Sequence, residues 1–172
     1  MTELVTPRLR IRGASSAEIR KIAQLNHADR SSSYLDGLSD KDREVIFRNT
    51  EAVQELLTRL AAVVGSGETV SYGALLGTEM IGYISLTNCR SQLPDLQIEL
   101  APNYQGQGYG YEFLSALTKF LFTSGYSCFR YAVMPNNQAS IALVEKVGGQ
   151  LQEPESEVES LLFRTYYIRK PI

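Results

Sequence analysis

Between a strand-like segment, Leu96 to Leu100, and a helix-like one, Tyr111 to Phe122, the chain reads Gln105-Gly106-Gln107-Gly108-Tyr109-Gly110. Glycines at every second position let the main chain approach an anion without Cβ interference. The helix that follows aims unpaired N–H groups and the positive end of its dipole at the same point. The chemistry this offers is a grip on phosphate, and so on a phosphorylated cofactor. Other phosphate loops do not fit. G-x-x-x-x-G-K-[ST] is absent, and the dinucleotide pattern G-x-G-x-x-G fails because Gly106 and Gly108 are followed by Gly110 and Tyr111. No acidic residue ends the next strand-like segment, Cys128 to Met134, to hold a ribose. What remains is Q-x-x-G-x-G, with Gln105, Gly108 and Gly110 in register.

The elements that must carry this loop follow from periodicity. Pro7 to Arg12 alternates Leu9 and Ile11 against arginines, as a strand with one buried face does. Ser15 and Glu18 have capping-box spacing and open a helix to about Asn26. Ala28 to Ser39 reads as a loop. A second helical region starts at Asp40, breaks near Asn49-Thr50, and continues with Val53, Leu56, Leu57, Leu60, Ala61 and Val64 on one face until Gly65-Ser66-Gly67. Val70 to Leu76 and Met80 to Thr87 form a hairpin across Gly77-Thr78-Glu79. Beyond the loop come a helix with Phe113, Leu114, Leu117 and Leu121 on one face, the strand Cys128 to Met134, and a helix from about Gln138 to Val147 that stops at Gly148-Gly149. A short strand near Gln150 to Gln152 pairs with a last one, Leu161 to Arg169. The order is β-α-α-β-β-β-α-β-α-β-β.

Composition narrows the class. The 172 residues are 44% hydrophobic and 21% charged, as in a soluble globular domain with a substantial core. No apolar stretch approaches the ~18 residues of a membrane span, and Met1-Thr2-Glu3 opens no signal peptide, so a cytoplasmic location and no membrane partner are expected. A net charge of −2, without a basic stripe, argues against nucleic acid. Cys89 and Cys128 read as reduced, buried thiols, and His27, the single histidine, has no ligand set around it; no metal is expected.

In the loop and on both sides of it the chain resembles the GNAT superfamily of acetyl-CoA-dependent N-acetyltransferases. The superfamily's pyrophosphate loop reads [RQ]-x-x-G-x-[GA]. Ile98-Glu99-Leu100-Ala101-Pro102-Asn103-Tyr104 is similar to its strand running into x-P-x-[YW]. Met134-Pro135-Asn136-Asn137-Gln138-Ala139-Ser140 and Leu143 to Gly148 are similar to its P-x-N-x-x-[AS] and x-E-K-x-G-F. Thr6 to Arg12 resembles the T-x-R-L-x-[LI]-R opening of the ribosomal-protein-alanine N-acetyltransferase branch. The resemblance implies a GNAT fold of the α/β (α+β) class in a single domain, residues 1–172. Its mixed, mostly antiparallel sheet has about six or seven strands, is flanked by about four helices, and is splayed at strands 4 and 5.

What the resemblance implies for the site can be carried over residue by residue. Main-chain groups of Gln105, Gly106, Gln107, Gly108, Tyr109 and Gly110 would hold the pyrophosphate of acetyl-CoA. Leu100 and Ala101 would meet the pantetheine along the opened strand edge. Asn137 would meet the pantetheine or cap its helix. The superfamily's acidic tyrosine is replaced by Val144, leaving Ser140 to donate to the thiolate directly or through water. Asp95, Gln97 and Glu99 alternate onto one strand face, and Glu99 is the first candidate base for the amine, through a water, with Asp95 second. That face also reads as an ordinary solvated one. Glu153, Glu155, Glu157 and Glu159 suit either an attraction for a cationic acceptor or a solvated hairpin tip. Gly149 stands where the superfamily has an aromatic residue, leaving a gap for another side chain to fill. The acceptor would be an amine, at a protein N-terminus or on a small molecule, and exposed edge strands leave a homodimer open. A catalytically silent acyl-CoA-binding regulatory module is the alternative, and a nucleotide-binding module the third choice.

Overall fold

The computed structural model describes residues 3–27, 38–56, 58 and 68–172. Its sheet has eight strands in the order β1-β2-β3-β4-β5-β6-β8-β7: β1 Leu4–Val5, β2 Arg10–Gly13, β3 Val70–Leu76, β4 Glu79–Thr87, β5 Asp95–Leu100, β6 Cys128–Val133, β7 Gln150–Leu151 and β8 Arg164–Arg169. All neighbours run antiparallel except β5 and β6. That parallel contact has one register pair, Asp95 with Arg130, whereas β4 and β5 stay in register from Thr87 and Asp95 to Gly82 and Leu100. The sheet therefore parts after its first rung between β5 and β6, at the place expected.

The helices are α1 Ser16–His27, α2 Asp40–Arg48, α3 Tyr109–Thr123, α4 Gln138–Lys146 and α5 Glu157–Leu162. Residues 50–56 are also helical, beyond the break at Asn49. The capping boxes are formed. Ser15 N and Oγ donate to Glu18 at 2.9 and 2.8 Å, and Ser39 and Asp42 do the same for α2. α3 buries Phe113, Leu114, Leu117 and Leu121 in the main core with Ile84, Leu86, Leu96, Phe129, Tyr131 and Tyr166. Truncating any one of its leucines to alanine costs about 2–5 kcal/mol.

α1 lies across the opposite face. Ile22 packs with Tyr83 and Ala101, and Ile19, Met80 and Tyr104 surround them. The alternation of β5 explains this: Leu96, Ile98 and Leu100 turn to α3 and α4, while Glu99, and then Ala101, turn to α1.

Four expectations need correction. The acidic segment is not a bare hairpin tip: Ser156 caps α5, and Val158 and Leu162 bury against Ile46 and Leu56 in a second, smaller cluster. The last strand accordingly starts at Arg164, because Leu161 and Leu162 belong to the helix. Nor is there a gap beside Gly149. A Cβ there would lie 2.6 Å from Val144 Cγ2 and 2.7 Å from the Val144 carbonyl, so the chain itself closes the space. Both cysteines are half-buried and free, not fully buried. The expected loop from Ala28 and the helical face through Leu57, Leu60, Ala61 and Val64 lie largely or wholly outside the described residues.

Candidate active site

α3 begins at Tyr109, two residues earlier than its periodicity indicates, because Gly108 takes a left-handed conformation (φ 82) at its N-cap and supplies no side-chain cap. Gly106 is left-handed as well (φ 72). The first intrahelical bond runs from Glu112 N–H to the Gly108 carbonyl, and Gln105 N–H bonds to Pro102. Gln107 N–H closes the turn over Gln105 and Gly106, and the N–H groups of Gly106, Gly108, Tyr109, Gly110 and Tyr111 meet no protein acceptor among the described residues. Such a row of open donors at a helix N-terminus fits a diphosphate.

The glutamines of the motif brace the loop from inside. Gln105 Nε2 donates to the Leu100 carbonyl at 2.9 Å and Gln107 Nε2 to the Asn103 carbonyl at 2.7 Å. A Cβ on Gly110 would stand 3.4 Å from both Leu100 and Leu143, so the loop, the end of β5 and α4 converge there.

The parted edge of β5 can be read from its ladder. Ala101 N–H donates to Ile81 of β4 at 2.8 Å, and the Ala101 carbonyl accepts from Tyr104. Main-chain groups alternate along a strand, so Ile98 and Leu100 turn theirs the other way, into the gap. Leu100 thus offers its N–H to an extended ligand, while both polar groups of Ala101 are engaged.

On the α4 side, Asn137 Oδ1 accepts from Ser140 N–H at 3.1 Å and caps the helix. Ser140 Oγ does not bond back to its own helix. It lies 2.6 Å from the Tyr131 hydroxyl, and one turn later Leu143 touches the loop at Gly110. Burial pushes the Tyr131 phenol above its ordinary value, with the Ser140 bond opposing the shift. Val144 is fully buried in the main core.

On the α1 side, Glu99 Oε2 accepts from Asn26 Nδ2 at 2.9 Å. Asp95 is placed differently: it pairs with Arg130 across the single rung and takes a further bond from Asn88 at 3.4 Å. Glu99 and Ser140 therefore flank the opening from opposite faces of the sheet, while Asp95 sits at its closed end.

Sequence reasoning missed Tyr131, Asn26 and the residues behind the loop. Thr6 Oγ1 and Arg8 N–H donate to Glu112 Oε1 at 2.5 and 2.9 Å, and Arg8 Nε donates to Glu112 Oε2 at 2.6 Å. Burial pushes the Glu112 carboxyl up, but the bonds from Thr6 and Arg8 and the Arg8 charge outweigh it and hold the group below its ordinary value. The T-P-R-L spelling at Thr6 to Leu9 was the available signal.

The sheet thus parts beside a row of open amides, with a carboxylate on one face and a hydroxyl on the other. The chain belongs to the GNAT acetyltransferase family, whose domain model matches residues 8–150, and is an N-acetyltransferase acting on amino groups. Among solved structures it is similar to the Salmonella typhimurium acetyltransferase that modifies the N-terminal serine of the 50S ribosomal subunit protein L7/L12, at 20% identity and TM-score 0.65 over 98% of each chain. It is similar to RimL, a ribosomal L7/L12 alpha-N-protein acetyltransferase in complex with coenzyme A, at 19% identity and TM-score 0.64 over 96% of each chain. It is also similar to the spermidine/spermine N-acetyltransferase SpeG from Vibrio cholerae, at 17% identity and TM-score 0.63 over 95% of each chain. No curated protein sequence matches it. No helix among the described residues is long and apolar enough to cross a membrane.

Proposed function

We propose that this chain transfers an acetyl group from acetyl-CoA to a primary amine by direct attack, with donor and acceptor bound together. The observation that carries this reading is the row of open amides at Gly106 and from Gly108 to Tyr111, at the mouth of the parted strands. When bound, acetyl-CoA supplies a thioester carbonyl as electrophile. The loop amides hold the diphosphate, and the gap-facing groups of Ile98 and Leu100 extend the sheet to the pantetheine. Asn137 caps α4 with Oδ1, so its amide nitrogen is the group available to the same ligand.

Glu99 acts on the amine. Reference pKa values run from about 7.7 for an α-amino group to about 10.4 for lysine, so a proton must leave as the C–N bond forms. Glu99 takes it through a water, its carboxylate fixed by Asn26. As the C–S bond breaks, the electron pair goes to sulfur on the other face, where Ser140 donates a hydrogen bond. A free thiol has a pKa near ~8.5, so this departing group needs only modest help. The Tyr131 and Ser140 hydroxyls share one hydrogen bond, and in this reading Tyr131 is the donor, which leaves the serine proton for the sulfur.

The acceptor class we infer is a primary amine, at a protein N-terminus or on a small molecule, as for the L7/L12 and spermidine/spermine enzymes. The test is a panel of amines and N-terminal peptides scored by free thiol released from acetyl-CoA. Amine-dependent release is the expected result. Tight coenzyme A binding with no release from any amine would overturn the catalytic reading.

A further inference from the structure

The N-terminal segment reaches the loop in a way that its cofactor role alone does not require. Arg8 Nη1 donates to the Gln107 carbonyl at 3.0 Å. In a planar trans peptide the carbonyl and the next N–H point in opposite directions, so fixing the Gln107 carbonyl toward Arg8 fixes the Gly108 N–H away from it. Gln107 and the left-handed Gly108 bound this unit, and the left-handed Gly106 precedes it. Glycine adopts either sign of φ at little cost, so Gly108 by itself does not fix the direction of this peptide. A reversed peptide would aim a carbonyl oxygen where the open donors stand.

Arg8 is itself fixed at several points. Its Nε and its main-chain N–H both bond Glu112, Thr6 bonds the same carboxylate, and its guanidinium lies 4.4 Å from the centre of the Tyr109 ring. Its Nη2 is the nearest atom, 3.4 Å away, to where a Cβ on Gly108 would stand. The pairing also neutralises Glu112, which sits in the first turn of α3, where its charge would repel a bound anion.

We infer that Arg8 is a positioning residue for the cofactor: it locks the Gln107–Gly108 peptide with its N–H toward the diphosphate and masks Glu112, making the segment Thr6 to Arg8 a working part of the pyrophosphate site. This rests on the acetyl-CoA reading of the loop. Its signature is selective, because only ligands carrying the diphosphate should sense the lock.

The experiment measures coenzyme A and pantetheine binding to the whole chain by amide NMR titration, in the wild type, Arg8→Met, Arg8→Lys and Glu112→Gln, with thermal midpoints recorded for each. Arg8→Met is expected to weaken coenzyme A about tenfold or more, and to leave pantetheine unchanged. Arg8→Lys should recover part of the loss, and the Gly108 amide should broaden in Arg8→Met. Coenzyme A binding equal to wild type in Arg8→Met, or an equal loss for both ligands, overturns the inference. If Arg8→Met does not fold, Arg8→Lys and Glu112→Gln decide it by the same ligand comparison. Wild-type protein that binds no coenzyme A would instead overturn the reading beneath it.

Discussion

The Tyr131 hydroxyl lies 2.6 Å from Ser140 Oγ, joining a buried residue of β6 to the first turn of α4. A serine there ordinarily bonds back to its own helix. Here the hydroxyl meets the phenol instead, and with Tyr131 as donor the serine proton is available to the gap. Tyr131→Phe should lower kcat about tenfold, the worth of one hydrogen bond of about 1.4 kcal/mol, while leaving KM for acetyl-CoA unchanged. Ser140→Ala should lower kcat at least as far. The double variant should be no slower than Ser140→Ala, and additive losses would show that the two hydroxyls act separately.

Glu99 and Asp95 share one strand face but should give opposite phenotypes. Glu99→Gln is expected to slow turnover about a hundredfold with coenzyme A affinity retained. Asp95→Asn breaks the pair with Arg130 at the single rung, and its main effect should be a loss of about 1–3 kcal/mol of stability in denaturant melts.

Gly149→Phe restores the side chain that resemblance to the superfamily suggests, yet it should destabilise the fold. A Cβ at this position would already press on the Val144 side chain and carbonyl. The expected loss is about 1–3 kcal/mol, read as a lowered midpoint of unfolding. A neutral or stabilising effect would contradict the close approach.

Glu18 gives the acid limb of stability a defined origin. The Arg12 hydrogen bond, with those from Ser15, lowers its pKa from the ordinary 4.5 to about 2. A carboxylate depressed in the folded state stabilises the protein above its unfolded pKa, and that contribution is lost as pH falls through the folded value. The loss should therefore run from about pH 4.5 down to about pH 2. Glu18→Gln should flatten that part of the midpoint-against-pH curve and lower the midpoint at neutral pH.

The cofactor side was legible because its signals are local. A glycine run between a strand and a helix, and a two-residue alternation along β5, need no knowledge of distant contacts. Even the placement of Ser140 and Asn137 follows from counting along one helix. What escaped the reading is set by long-range partners. Asn26 meets Glu99 across 73 residues and Arg8 meets Glu112 across 104. Tyr131 looks like any other apolar residue of a buried strand face until α4 brings Ser140 against its hydroxyl. α5 was missed for a related reason. Glu157 to Leu162 is polar enough to pass for a loop, and only burial of Val158 and Leu162 against Ile46 and Leu56 makes the helix worthwhile.

Because β5 and β6 meet at one rung, Asp95 with Arg130, the ladder ties the two halves of the sheet together at a single seam. Ladder bonds set the width of no other joint so weakly. Beyond it, side chains rather than ladder bonds bring the halves near each other, with Leu100 and Leu143 both 3.4 Å from where a Cβ on Gly110 would stand. Any side chain added at Gly110 must therefore be accommodated by both leucines at once.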